Sequence, residues 1–299
     1  MSALAVALAE VGETSARLSH LSQRGYQNPY VHMEQWPESV DPEKDWFSTP
    51  EYLSLYGTPL WTELGEAARR RVAFHEAAGF YSLNIHGEKS LMQGLAARLY
   101  RTDLAEITGY LHHFLDEENK HSVYFGGFCT RYARVHRSRQ ISFGSQYPRD
   151  VEDFLFFART LVFEEIVDHL NRVQARDLRL HPLARFINDS HHRDEARHLV
   201  FGRCLVTALW KACSPAWSPA VAAEIRDALD RFFTATWREF YHPDVYADAG
   251  LSGLDDPWEL AEAAWSAPAQ RTHRRAVSAG CLDFLAAAGI LTKEPTDAF

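Results

Sequence analysis

Three Glu-x-x-His motifs constrain this chain more than any other feature of its sequence. They are formed by Glu118 and His121, by Glu195 and His198, and by Glu239 and His242. Residues three apart on a helix face the same way, so each motif would aim a carboxylate and an imidazole at one point. With 15 histidines in 299 residues, about one such motif is expected by chance, so a single match would carry little weight.

The acids upstream of the motifs separate them. Glu88 lies 30 residues before Glu118, and Glu164 and Glu165 lie 31 and 30 residues before Glu195. An interval of that size corresponds to one long helix, a turn and half of the next helix. It would place two acids at the same height on adjacent antiparallel helices. The repeated interval therefore indicates an internal duplication of one ligand pattern.

The third motif has no such partner. The positions 30 and 31 residues before Glu239 are Leu209 and Ala208, which cannot bind a metal ion. Pro243 follows the motif directly and would end its helix. We therefore expect the third motif to be structural, with His242 capping the last turn of that helix.

The two partnered motifs predict two metal ions inside a four-helix bundle. Two Glu-x-x-His motifs, together with one Glu from each of two other helices, form the ligand set of di-metal carboxylate bundles. Carboxylates with imidazoles suit iron or manganese, and the lack of thiolates in the pattern argues against zinc-thiolate and iron–sulfur sites. Four carboxylates would neutralise two divalent ions. The predicted ligands are Glu88, Glu118, His121, Glu164, His191, Glu195 and His198.

Two of these ligands involve a choice between neighbours. Glu164 and Glu165 differ by about 100° around a helix, and the local pattern does not decide between them, although we favour Glu164. His191 lies four residues before Glu195 and shares its helical stripe. His192 is turned about 100° away, so we expect it to be exposed or to lie behind the metal ligands.

Two further acids are expected to support the histidines. Glu117 and Asp194 each lie four residues before a ligand histidine, His121 and His198 respectively. They are candidates to accept the outer ring N–H of an imidazole. A solvated Glu117 is the alternative.

Apolar residues recur at three and four positions over most of the chain and predict an all-α, ferritin-like four-helix bundle with additional helices. The four bundle helices are expected at about 70–99, 103–131, 150–177 and 182–211, and two more at 219–241 and 258–291. Asp103 and Glu106 are spaced as a helix cap and its third-position acid. Prolines break the second half of residues 1–60 into turns and extended pieces. We expect this N-terminal segment, residues 1–60, to wrap the bundle. We interpret residues 1–299 as a single domain.

Composition excludes several classes of function. The net charge of −9 is spread along the chain, and no basic run suits nucleic acid. None of the four cysteines forms a CxxC pair, so neither a zinc knuckle nor a disulfide framework is indicated. No basic signal-peptide start and no membrane-length apolar run is present. These features predict a soluble cytoplasmic protein.

At the ligand positions the sequence resembles the p-aminobenzoate N-oxygenase family, the AurF-like di-iron arylamine oxygenases. The resemblance rests on Ser82-Leu-Asn-Ile-His-Gly-Glu88, Glu118-x-x-His121, Glu164-Glu165 and His191-x-x-x-Glu195-x-x-His198. It covers roughly residues 70–205. The last element is the most specific, because ordinary di-iron bundles have only Glu-x-x-His there.

The resemblance implies a non-haem di-iron centre that uses O2 to oxidise an arylamine through the hydroxylamine toward the nitro level. It implies a small amine substrate and electrons from an external donor or reductase, and it leaves a homodimer open. C-hydroxylation or desaturation on the same scaffold is the alternative reaction. A non-catalytic iron-binding bundle is a third interpretation, disfavoured because so much of the chain lies outside the bundle.

Several side chains are candidates for a substrate pocket. Tyr81, Asn84 and Met92 share the helical face of Glu88, and Thr160 lies four residues before Glu164. Core packing is the alternative role for each of them. Arg172 and Arg197 are candidates to hold a substrate carboxylate, with a solvated arginine as the alternative.

Overall fold

The computed structural model describes residues 3–138, 147–251 and 256–299, which fold into helices and connecting turns without a strand. An isolated backbone bridge joins Trp46 and Leu180. The helices are α1 (Ala3–Gly25), α2 (Pro29–Met33), α3 (Pro59–Glu63), α4 (Glu66–Ala96), α5 (Ala105–Tyr132), α6 (Arg149–Arg176), α7 (Pro182–Cys213), α8 (Pro219–Glu239), α9 (Pro243–Asp248), α10 (Pro257–Ser266) and α11 (Pro268–Ala287). Short 3₁₀ turns lie at Pro50–Tyr52, Thr102–Leu104 and Ser214–Ala216.

The four-helix bundle consists of α4, α5, α6 and α7, and it confirms the predicted all-α, ferritin-like fold. Its helices pack chiefly as two pairs, α4 on α5 and α6 on α7. The connections at 97–104 and 177–181 are short, so each pair is antiparallel. This arrangement brings the middles of all four helices, where the predicted ligands lie, to the same level of the bundle.

Two glycines let α4 approach the aromatic face of α6. A Cβ atom on Gly87 would lie 2.4 Å from the ring of Phe163, and one on Gly94 would lie 2.0 Å from the ring of Phe156. Neither distance is compatible with van der Waals contact, so the two phenylalanine rings occupy space that only glycine leaves free. Packing between the two helix pairs therefore requires glycine at position 87, immediately before Glu88.

The predicted start of the second bundle helix is wrong in detail. The 3₁₀ turn Thr102–Leu104 precedes α5, and no side chain caps that helix. The carboxylate of Asp103 instead pairs with Arg101 at 2.8 Å and with Arg149 at 2.9 Å. Two guanidinium groups compete successfully for the oxygen atoms that a capping box would need, so Asp103 and Glu106 do not form one.

The N-terminal segment is more regular than expected. Residues 3–25 do not wrap the bundle as an irregular chain, because α1 is a helix that packs along α5 and α7. Its buried face recurs at three and four residues. The members of that face include Leu8, Val11, Ser15, Leu18 and Ser22. The proline-rich part begins only after α1, and it contributes the short helices α2 and α3.

The C-terminal region also departs from the prediction at one point. The segment 258–291, expected to form one helix, is divided into α10 and α11 by Ala267, whose φ and ψ are −63° and 132°. Pro268 causes the break, because the residue before a proline is driven out of the helical region. The buried apolar side chains of the described residues form one continuous cluster. No helix in these ranges combines the length and apolarity that a membrane span requires.

Candidate metal centre

The structure brings all seven predicted ligand residues together in the centre of the bundle. They form three overlapping groups whose donor atoms lie within 4.8 Å of one another. All seven side chains are buried. The groups are Glu88, Glu118, His121 and His191; Glu118, Glu195 and His198; and Glu164, His191 and Glu195.

Ring nitrogens and carboxylate oxygens face one another at short range in this cluster. Nδ1 of His198 lies 2.9 Å from Glu118 and 3.2 Å from Glu195. Nδ1 of His121 lies 3.2 Å from Glu118 and 3.5 Å from Glu195. Ligand bonds of about 2.0–2.2 Å at right angles would leave neighbouring ligand atoms about 3 Å apart. The observed spacing is therefore that of atoms able to share one ion.

Each of the two histidines is oriented by an acid from the other helix. Nε2 of His121 donates to Asp194 at 3.2 Å, and Nε2 of His198 donates to Glu117 at 2.9 Å. An ionised carboxylate can only accept, so Nε2 carries a proton in both rings, and Nδ1 presents its lone pair to the cluster when the ring is neutral, as it is in a metal ligand. Both acids therefore accept an outer ring N–H as expected, but from the histidine across the helix interface rather than from the one four residues along.

These two acids are themselves held by a buried lysine and a partly buried arginine. Arg197 pairs with both Glu117 and Asp194, and Lys120 pairs with Asp194. Nε of Arg197 also donates to the hydroxyl of Ser22 on α1, at 3.0 Å. Two cations and two anions balance in this layer, so it holds the imidazoles without adding net charge. Arg197 is thus neither solvated nor available to a substrate carboxylate, whereas Arg172 is exposed.

His191 enters the cluster with its other ring nitrogen. Its Nε2 lies 3.0 Å from Glu195 and 3.6 Å from Glu88, while Nδ1 contacts the side-chain amide of Asn171 at 2.5 Å. The Asn171 amide turned by 180° would accept Nδ1–H through its oxygen, leaving the Nε2 lone pair toward the carboxylates. Sequence reasoning missed Asn171, although its position seven residues after Glu164 places it on the same helical face.

The electrostatics of the cluster favour the addition of positive charge. Burial raises the pKa of Glu88 to about 8. Burial and the charge of Glu88 raise the pKa of Glu118 to about 7, and burial together with Glu195 raises the pKa of Glu164 well above its ordinary value. Burial would also raise the pKa of Glu195, but His198 and His191 hold it well below the usual range. Four carboxylates thus cannot all ionise here unless cations join them.

Buried carboxylate oxygens without hydrogen-bond partners also indicate that cations belong in this cluster. Both carboxylate oxygens of Glu88 and both of Glu164 are buried without a hydrogen-bond partner among the described residues. Buried polar atoms are normally satisfied, so an unsatisfied set at one place indicates a missing partner. Two divalent cations would satisfy the oxygens and balance the four acids, and the seven side chains therefore fit a two-ion centre.

Packing decides which residue of each neighbouring pair, Glu164 or Glu165 and His191 or His192, faces the cluster. Glu164 faces the cluster, whereas Glu165 lies outside the three metal-binding groups and pairs with Arg203 of α7 at 2.5 Å. His192 is partly buried and contacts Asp168 at 2.6 Å, outside the three metal-binding groups.

The third Glu-x-x-His motif lies outside these groups as well. His242 does not cap the preceding helix as expected. Its Nδ1 accepts from the backbone N–H of Asp244 and caps α9, and its Nε2 donates to the carbonyl of Arg137. The proline that ends one helix here begins the next, so the histidine serves the new N-terminus.

Aromatic and polar side chains enclose the cluster. The ring of Phe114 stacks on His198 with centroids 4.0 Å apart, and Phe125 meets His191 edge-on at 5.0 Å. Of the pocket candidates, Tyr81 accepts a hydrogen bond from Asn188 at 3.2 Å. Asn84 and Thr160 are buried and each retains an oxygen without a partner among the described residues, while Met92 is partly exposed. The surroundings exclude bulk water but keep polar atoms next to the carboxylates.

Comparison with known proteins identifies the family. No curated protein matches the chain. A family model described as P-aminobenzoate N-oxygenase AurF matches residues 9–289. The match extends well beyond residues 70–205, on which the sequence resemblance rests, and it includes most of α1 and all of the C-terminal helices α8 to α11. Because it covers nearly the whole chain, the protein belongs to the p-aminobenzoate N-oxygenase AurF family.

Proposed function

We propose that this protein is a non-haem di-iron monooxygenase that transfers oxygen from O2 to the nitrogen of a small amine, in the first place an arylamine. The family supports an N-oxygenase, and the single observation that carries the proposal is the buried cluster of four carboxylates and three imidazoles. Oxidation would run toward the hydroxylamine, nitroso or nitro level, as a step in a biosynthetic pathway.

In this proposal the seven clustered residues hold two iron ions. Glu88, Glu118, Glu164 and Glu195 supply the negative charge, and the three histidines supply neutral nitrogen donors. When bound, the iron pair supplies the redox chemistry that activates O2. An external donor or reductase would supply electrons to the reaction. The assignment of iron rather than manganese follows the family.

The protein's own residues would fix the geometry and the proton positions of the site. Asp194 and Glu117 keep protons on Nε2 of His121 and His198, which leaves both Nδ1 atoms free to bind. The side-chain amide of Asn171 contacts Nδ1 of His191 and would orient that ring as the two acids orient the other two histidines. The packed rings of Phe114 and Phe125 exclude water, which protects a reactive site from competing hydrolysis and proton leakage.

The proposal is tested by reconstituting the full chain with ferrous iron and feeding a panel of arylamines and aliphatic amines with O2 and a reductant. We expect close to two iron ions per chain, amine-dependent O2 consumption and product masses increased by oxygen on nitrogen. A product hydroxylated on carbon or desaturated would replace the N-oxygenase proposal by the alternative reaction. One tightly held ion, or zinc that iron cannot displace, would contradict the di-iron centre itself.

A further inference from the structure

A second cavity lies outside the metal centre, between α8, α10, α11 and the last residues of the chain. Its volume is about 470 Å³. None of its lining residues belongs to the four bundle helices. Three of the residues that line it are arginines, namely Arg238, Arg271 and Arg274.

Two of these arginines are held rigidly against one tryptophan. The guanidinium carbons of Arg274 and Arg238 lie 3.8 Å and 4.0 Å from the ring centroid of Trp265. Nε of Arg274 donates to the carbonyl of Ala298 at 2.7 Å, and Nη1 donates to the hydroxyl of Tyr241 at 3.0 Å. Such contacts fix a guanidinium before any ligand arrives, so little side-chain entropy remains to be lost on binding.

The positive charge of this cavity is only partly compensated. Arg238 pairs with Glu262 at 2.7 Å. Within the described ranges, neither Arg271 nor Arg274 has a carboxylate within ion-pair distance, although Arg274 is buried. Burial lowers the pKa of Arg274, and the charges of Arg238 and Arg271 add to that effect. The hydrogen bonds of the Arg274 guanidinium go to neutral oxygens, the carbonyls of Ala298 and Trp265 and the hydroxyl of Tyr241, so they satisfy its donors without neutralising its charge.

Two further groups define what the cavity accepts. The hydroxyl of Thr234 lines it and is buried without a hydrogen-bond partner among the described residues. The carboxylate of Asp297 also lines the cavity and would repel an anion. An anion that binds here must therefore overcome one negative charge. Three guanidinium groups line the cavity against this one side-chain carboxylate, and the net attraction that results grows with the charge of the ligand, which favours a dianion over a carboxylate.

We propose that this cavity is a binding site for a phosphate group, as free phosphate or as a phosphate monoester. Guanidinium forks match the oxygen atoms of phosphate in geometry and charge, and the Thr234 hydroxyl supplies a further donor. The cavity is larger than a phosphate ion needs. The lining also includes the side chain of Phe299, so a monoester whose organic group occupies the remaining space fits the cavity better than the free ion.

The test is isothermal titration of the iron-loaded full chain with inorganic phosphate and with phenyl phosphate, with benzoate as the carboxylate comparison. We expect saturable binding of both phosphates, tighter for phenyl phosphate, and weaker binding of benzoate. Arg271 is exposed, so Arg271→Ala should fold normally and weaken phosphate binding about 10- to 100-fold. Arg275→Ala is the matched control, because Arg275 lies on the same helix but pairs with Glu294 and does not line the cavity. It should change the affinity less than about twofold.

A variant that is expected to gain affinity complements Arg271→Ala, because damage to the fold would lower the affinity for phosphate and could not raise it. Asp297→Asn removes the repelling charge and should tighten phosphate binding about threefold or more. Phosphate bound to iron in the bundle would respond to neither Arg271→Ala nor Asp297→Asn. The proposal is overturned if neither phosphate binds saturably, if Arg271→Ala and Arg275→Ala weaken binding equally, or if Asp297→Asn weakens it. Preference for benzoate over both phosphates would also overturn it.

Discussion

The carboxylate of Asp194 on α7 accepts a hydrogen bond from Nε2 of His121 on α5, at 3.2 Å. Asp194 directly precedes Glu195, a predicted ligand, so one stretch of α7 contributes both a predicted ligand and the group that orients a histidine on the neighbouring helix. Glu117 and His198 repeat the arrangement in the opposite direction. The two motifs are thereby cross-linked through their outer hydrogen bonds.

We predict that Asp194→Asn lowers the affinity for iron about 10- to 100-fold, because the ring of His121 would lose the acceptor that fixes its proton and its orientation. Competition with a chelator measures the effect on folded protein. Asp189→Asn is a suitable control, since Asp189 is an acid of the same helix that pairs with Arg193 at 2.6 Å, away from the cluster. Equal affinities in the two variants would show that the crossed hydrogen bonds do not support the metal.

The third Glu-x-x-His motif provides a second prediction. His242→Ala should leave the iron content at the wild-type level, because its ring nitrogens contact backbone atoms of Asp244 and Arg137. His121→Ala should lower the iron content. The loss of the α9 cap in His242→Ala is expected to cost about 1 kcal/mol of stability, which thermal unfolding would detect. Iron loss of the same size in both variants would mean that the metal lies elsewhere.

Regular helical spacing, both within one helix and between two helices joined by a short turn, predicted most of the site. The three-residue and 30-residue intervals indicated Glu88, Glu118 and Glu195, because a ligand on a helix is positioned by the regular geometry of its own backbone. The crossed pairing of Glu117 and Asp194 could not be predicted in this way. It depends on how α5 and α7 are rotated against each other, and that rotation is set by packing across the whole bundle.

In the fold as well, features set by neighbouring residues could be predicted from the sequence, whereas features set by contacts between distant residues could not. The bundle helices follow from periodicity, whereas the position of α1 over α5 and α7 depends on contacts between residues far apart in the chain. The first 25 residues carry a helical apolar pattern that the prolines further along obscured. The division between α10 and α11 was open to prediction from Pro268 alone, since a proline excludes its predecessor from a helix.

Glu164 and Glu165 give a third prediction, because the structure turns only Glu164 toward the cluster. Glu164→Gln should lower the iron content, since it removes one of four negative charges from the site. Glu165→Gln should leave the iron content unchanged and cost less than about 1 kcal/mol of stability, because its partner Arg203 is partly exposed. Elemental analysis of both reconstituted variants decides the assignment, and iron loss confined to Glu165→Gln would reverse it.

His191 is the residue that most distinguishes this site from an ordinary di-iron bundle. We predict that His191→Ala retains most of the iron but impairs oxygen transfer, because the carboxylates and two histidines remain while one neutral donor is lost. His192→Ala should keep both iron and activity, with a modest loss of stability from its contact with Asp168. The two variants should be compared for iron content and amine oxidation. Impaired oxidation in His192→Ala alone would show that the helix phase is misassigned.

Glu76 gives a prediction that does not depend on metal. Its carboxylate accepts from the backbone N–H of Ser54 at 3.0 Å and from the Ser54 hydroxyl at 2.5 Å, but burial outweighs these bonds and raises its pKa to about 7 from 4.5. A raised pKa in the folded state means that stability is greatest below pH 4.5 and falls as pH rises toward 7. Because the carboxyl group is only partly buried by area, we expect this loss to be about 2 kcal/mol rather than the full value of the shift.

Glu76→Gln removes the titrating group, so its stability relative to the wild type should rise by about 1 kcal/mol between pH 5 and pH 8, the part of the loss that falls in this range. Urea unfolding of both proteins at the two pH values measures the difference, and other titrating groups cancel in the comparison. Glu63→Gln, which alters an exposed acid of α3, should show no such change. If Glu76→Gln follows the wild type at both pH values, the carboxyl group ionises normally in the folded protein, and its contact with Ser54 compensates fully for burial.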